Sequence, residues 1–147
     1  MAANEYLPST DQFTLAVPIA ANGGIGPISG DPLIWGLANS PSNCKALVAE
    51  TSYTPPGGLV PTGNITVKAV GANFLSVTAQ SGVNGLGVAI KPGDLIYADG
   101  GTQDATTGIL YGFTLNANHG TGWPFGRAMA AVGAGLTATI PVMIGGK

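Results

Sequence analysis

The chain has 147 residues, a length that suits one domain with a core able to stand without disulfides. Only 8% of residues are charged against 45% hydrophobic, and the five Lys and Arg side chains are scattered. A nucleic-acid surface needs clustered cations, and a membrane span needs roughly 18 consecutive apolar residues, so neither partner is expected.

The 24 Gly and 11 Pro punctuate regular aliphatic segments, which marks turn chemistry in a folded chain, not disorder. Residues 1–11 read as a polar N-terminal arm, and 12–147 as a single β domain. The first residues, Met1 to Glu5, have neither a basic nor an apolar region, so no signal peptide is expected. Gln12 to Ile19 alternates, with Phe13, Leu15 and Val17 on one face, as a half-buried strand does. Residues 22–27 form a loop. Gly30-Asp31 turns into Leu33 to Ala38, apolar on both faces like a central strand. After a turn at 39–43, Ala46 to Ser52 makes another strand. Residues 53–63 carry several Pro and Gly and read as a long loop.

Asn64 to Val70 and Phe74 to Ala79 both alternate around Gly71-Ala72-Asn73, which predicts a hairpin. A Gly-rich stretch follows over 80–87, and Lys91-Pro92-Gly93-Asp94 signals a turn before Leu95 to Ala98. Asp99 to Thr102 turns again. Thr107 to Leu115 reads as one strand, with Gly108 and Gly112 as bulges or close contacts. Residues 116–126 form a second long loop carrying His119, Trp123 and Phe125. Arg127 to Val132 fits a strand or a short helix, and Leu136 to Ile144 alternates after the turn at 133–135. The sum is an all-β, small barrel-like or sandwich domain of about nine or ten short strands with long loops. Closure into a barrel would hide edges that so neutral a chain could not otherwise protect.

Chemistry-bearing motifs are sparse. Gly133 to Ala138 fits the letters of a dinucleotide fingerprint, but no acid follows about 20 residues on, so it reads as a turn. Asp99 and Asp104 are too few carboxylates for a calcium loop. His119 has no Asp or Glu anywhere after Asp104 to orient it, and the single Cys44 has no nearby base. One His and one Cys make no metal site, so no metal, cofactor or enzymatic activity is expected. Asn64-Ile65-Thr66 matches a glycosylation sequon by letter only. Asp31 and Asp94 read as turn caps. Trp123 and Phe125 fit three roles: interface anchors, a platform for stacking on sugar rings, or core residues folded back inward. Low charge favours a molecule covered by partners over a free monomer.

The order of several segments carries a resemblance. Gly30-Asp31-Pro32-Leu33-Ile34-Trp35-Gly36-Leu37 comes first and the 65–79 region second. Lys91 to Asp99 is third, and Gly126 to Gly135 with Thr139 to Ile144 closes the series. Taken in this order, they resemble the capsid cement, or head decoration, proteins of tailed bacteriophages, from about residue 12 onward. The chain differs from the compact pattern in its loops over 53–63 and 116–126 and in its longer arm.

The resemblance implies a non-enzymatic protein on the outer surface of the virion. It would bind an expanded icosahedral head, bridge major capsid protein subunits and form a homotrimer. The candidates for shell or inter-subunit contact are Tyr6, Leu7 and Phe13 in and after the arm, and Trp123 and Phe125 in the aromatic loop. The alternative is a carbohydrate- or host-surface-binding β-module, which would need Trp123 and Phe125 coplanar on an exposed face.

Overall fold

A computed structural model describes residues 12–16, 27–36, 44–50, 64–117 and 122–145. The arm, the loop over 53–63, the turn over 39–43 and His119 lie outside these residues. Eleven strands and no helix are found among the described residues. The all-β expectation is met.

The strands are β1 (Gln12–Ala16), β2 (Pro32–Trp35), β3 (Lys45–Ala49), β4 (Asn64–Lys68), β5 (Gly71–Thr78), β6 (Leu95–Asp99), β7 (Thr102–Asp104), β8 (Ile109–Tyr111), β9 (Thr114–Asn116), β10 (Trp123–Ala128) and β11 (Thr137–Ile144). They form a six-stranded open sheet in the order β1-β4-β3-β2-β8-β7 and a closed barrel in the order β10-β11-β5-β9-β6. Every pairing is antiparallel except β5 with β9.

The hairpin expected over 64–79 does not form. β4 pairs with β1 and β3 in the open sheet, while all eight residues of β5 pair with β11 in the barrel. The physical cause is a bend at Gly71, whose φ of +109° turns the chain out of one sheet and into the other. Two further crossings occur, at Gly100-Gly101 and at Gly112, all with positive φ. The second of these divides the single strand expected over 107–115. Gly112 breaks it into β8, in the open sheet, and β9, in the barrel wall.

Two buried clusters follow from this layout. One contains the inward residues of the barrel, among them Leu75, Val77, Ile96, Leu115, Ile140 and Val142, and extends to Ile34, Val48 and Leu110 of the open sheet. The other contains Leu33, Leu47, Ala49, Ile65, Val67 and Ile109, all from the open sheet. Neighbours in sequence therefore divide between the clusters, 33 from 34, 47 from 48 and 109 from 110. That is the period-two geometry of strands buried on both faces. The central-strand expectation holds for Leu33 and Ile34.

The two Gly-Asp motifs build the same turn. Asp31 N–H donates to the Ile28 carbonyl, and Asp94 N–H donates to the Lys91 carbonyl, both at 3.0 Å. The carboxylate of each closes the turn by accepting from the N–H three residues back, Ile28 at 3.0 Å and Lys91 at 2.9 Å. Gly30 and Gly93 supply the positive φ, 94° and 93°. Each turn feeds a strand with a buried interior, β2 or β6.

Candidate functional site

Of the five contact candidates, Tyr6 and Leu7 lie outside the described residues. Phe13 lies in β1, where its backbone pairs opposite Val67 of β4. Trp123 and Phe125 are not in a loop. They belong to β10, a wall of the barrel between β6 and β11. Phe125 is 4% exposed and lies against Phe113, ring centroids 5.8 Å apart at 55°. It is a core residue and presents nothing to a partner. Trp123 is half-buried and packs against the same core. The exposed coplanar pair that sugar stacking would need is not formed.

The loop reading of 116–126 came from Pro124 and Gly126, which disguise the strand. The register between β10 and β6 slips between these two residues, so Pro124 sits at an irregularity where a missing N–H is tolerated. At Gly126 any Cβ would run into the Met143 carbonyl of the neighbouring strand. Glycine there is a condition of β10 lying against β11, not a loop marker.

The polar candidates resolve into structural parts. Asp104 closes the β7–β8 turn, accepting from the Thr107 N–H at 2.8 Å and its hydroxyl at 2.7 Å. These bonds hold the Asp104 carboxyl below its usual range, the hydroxyl contributing most. The 133–138 segment is a turn, with Leu136 N–H donating to the Gly133 carbonyl at 3.0 Å before β11 begins. Cys44 is half-buried, and burial pushes its thiol pKa up, against a smaller pull from a backbone hydrogen bond. The sequon residue Asn64 opens strand β4. Among the described residues, no group of three or more His, Cys, Asp or Glu is placed to hold a metal.

What the fold does bring together is absence of charge. Residues 69–90 contain no Asp, Glu, Lys, Arg or His, and neither do residues 128–146. The β5–β11 ladder lays these two stretches side by side, from Gly71 opposite Ile144 to Thr78 opposite Thr137. On the inward row stand Leu75, Val77, Ile140 and Val142. On the outward row the cross-strand pairs run Ala72 with Met143, Phe74 with Pro141, Ser76 with Thr139 and Thr78 with Thr137. The last pair shares a hydroxyl hydrogen bond of 2.8 Å.

The uncharged surface continues past the ends of the ladder. The loop after β5 folds against the turn before β11, where Ala79 N–H donates to the Leu136 carbonyl and Gly135 N–H to the Ala79 carbonyl, both at 2.8 Å. Met129, after β10, donates its N–H to the Pro141 carbonyl at 2.9 Å. Ten large hydrophobic side chains are exposed among the described residues. All but Ile28 and Trp35 come from the two charge-free stretches. Phe74 projects furthest, at 75% exposure. The single charge on β5, β10 or β11 is Arg127, opposite Met143, and its guanidinium donates to the Gly93 carbonyl at 2.9 Å.

Sequence reasoning missed this face, although its signal is legible as two long runs without a charge. Seeing that they make one surface required the β5–β11 pairing. No family model, curated protein or solved structure matches the chain.

Proposed function

We propose that this protein is a non-enzymatic capsid decoration protein. In this reading it binds the outside of an expanded icosahedral phage head, and acts as a homotrimer that bridges major capsid protein subunits. The observation that carries the reading is the charge-free barrel face. Monomeric soluble proteins rarely leave contiguous apolar patches of more than a few hundred Å² open to water. A surface of this kind is stable when covered, and a protein that joins a shell is covered by other subunits. The ordered segments that resemble decoration proteins add support, with both Gly-Asp elements built as the same capped turn.

The open sheet offers a second contact. Among the described residues β1 is its outermost strand, directly after residues 1–11. An extended arm that adds a strand to a shell protein's sheet gains main-chain hydrogen bonds and needs no charges. Three linked copies multiply modest contacts through avidity.

Deleting residues 1–11, which leaves β1 in place, is expected to abolish binding to expanded heads. The β-sheet circular dichroism of the protein should stay unchanged. Reconstructions of heads incubated with full-length and shortened protein measure this. Full-length protein leaving heads bare contradicts the decoration role, and equal decoration by both forms contradicts the arm's part in it.

A further inference from the structure

We infer that the charge-free face of β5, β10 and β11 is the contact between copies of this chain, with Phe74 at its centre. The inference rests on the assembly reading above and names what covers this face.

Charge comes first. A charged group brought against this face would lose its water and find no counter-ion, which costs several kcal/mol. The occupant must therefore present a surface equally free of charge. The described residues contain such a surface in the face itself, where neither stretch supplies a charge and Arg127 is tied to the Gly93 carbonyl. A second copy brings that match by construction, because self-assembly sets one chain's surface against its own replica.

Relief points the same way. Phe74 stands out between Ala72 and Ser76, the small residues next to it on the outward row, and opposite the flat ring of Pro141. The face thus carries both a knob and the shallow seats beside it, so one copy's ring lodges over another's small residues. Aromatic and Met side chains in the middle with hydroxyls and Arg towards the rim are the usual make-up of a specific interface. Here Met129, Met143 and Phe74 lie near the centre, with Thr78, Thr137, Thr139 and Arg127 around them.

Size agrees as well. The outward residues of the ladder with those of the two adjoining loops number about two dozen, within the 20–30 residues a side of a standard interface. A shell subunit meets the protein only at assembly, whereas another copy is present from the moment the chain folds. Self-contact alone keeps the face covered throughout.

Sedimentation velocity at micromolar concentration tests this with the full chain, Phe74→Glu, Met143→Glu and the distant exposed control Ile28→Glu. The wild type and Ile28→Glu should sediment as one discrete oligomer. Phe74→Glu, which sets like charges together at the contact, should weaken association by about a hundredfold or more and give monomer with an unchanged β-sheet spectrum. If Phe74→Glu does not fold, Met143→Glu carries the same expectation. A monomeric wild type overturns the inference, as does a folded Phe74→Glu or Met143→Glu that stays oligomeric. Head binding separates this from the functional proposal. A wild-type oligomer that ignores expanded heads removes the decoration role and leaves the self-contact, while a monomeric wild type that coats them does the reverse.

Discussion

At the scale of single residues, the polar side chains of this protein serve the backbone. Asp104 is fully exposed, yet the Thr107 hydroxyl and N–H hold its carboxylate in the charged form. Its pKa is lowered by folding, so its contribution is present above the unfolded value and is lost as pH falls through the lower folded one. The Thr107 amide signal should therefore keep its folded shift through the ordinary Asp value of about 3.9 and move only below it. A pH titration by NMR reads this directly, and a midpoint at or above that value contradicts it. Cys44 behaves in the opposite sense. Burial raises its thiol pKa, so the neutral form is favoured in the fold, and any stability it lends fades as pH rises past the unfolded value near 8.5. Alkylation by iodoacetamide at pH 7.5 should be slower in the native protein than in urea, because only the thiolate reacts. Equal rates would contradict that protection.

Individual strands show how a local pattern fixes a face without fixing a partner. Leu33 and Ile34 are adjacent in β2, are 1% and 0% exposed, and belong to different clusters. Leu33→Ala and Ile34→Ala should each cost about 2–5 kcal/mol, measured as a shift of the urea midpoint. A strand buried on one face would show that cost at one position only. Alternation in 64–70, 74–79 and 136–144 placed β4, β5 and β11 correctly, because a period of two is written in consecutive residues. Their pairing was not legible there. Turn residues between β4 and β5 suggested a hairpin, and only the positive φ at Gly71 reveals a change of sheet. β10 was hidden for a related reason. Pro124 and Gly126 belong to an irregular strand as readily as to a loop, and Phe125 looks alike whether it anchors a partner or fills a core. The candidate face was half legible: two charge-free runs stand in plain view, but their meeting depends on a ladder between distant parts of the chain.

Seen whole, the molecule divides its risks between two sheets. The barrel closes on itself and has no free edge to attract stray strands. Its hazard is the outward face, where eight of the ten exposed large hydrophobic side chains come from two stretches without charge. The open sheet has the reverse character. Its end strands among the described residues are β1 and β7, and the second is a short polar strand closed off by Asp104. The arrangement leaves one element for backbone pairing and one for side-chain contact, on separate layers. The β5–β11 ladder also sets a timetable for biosynthesis. Phe74 leaves the ribosome well before Pro141, its opposite number. At roughly 5–20 residues per second, β5 spends seconds without its longest partner. Barrel closure is thus a post-translational event, and the nascent chain must keep Leu75 and Val77 from wrong company until the final strand arrives.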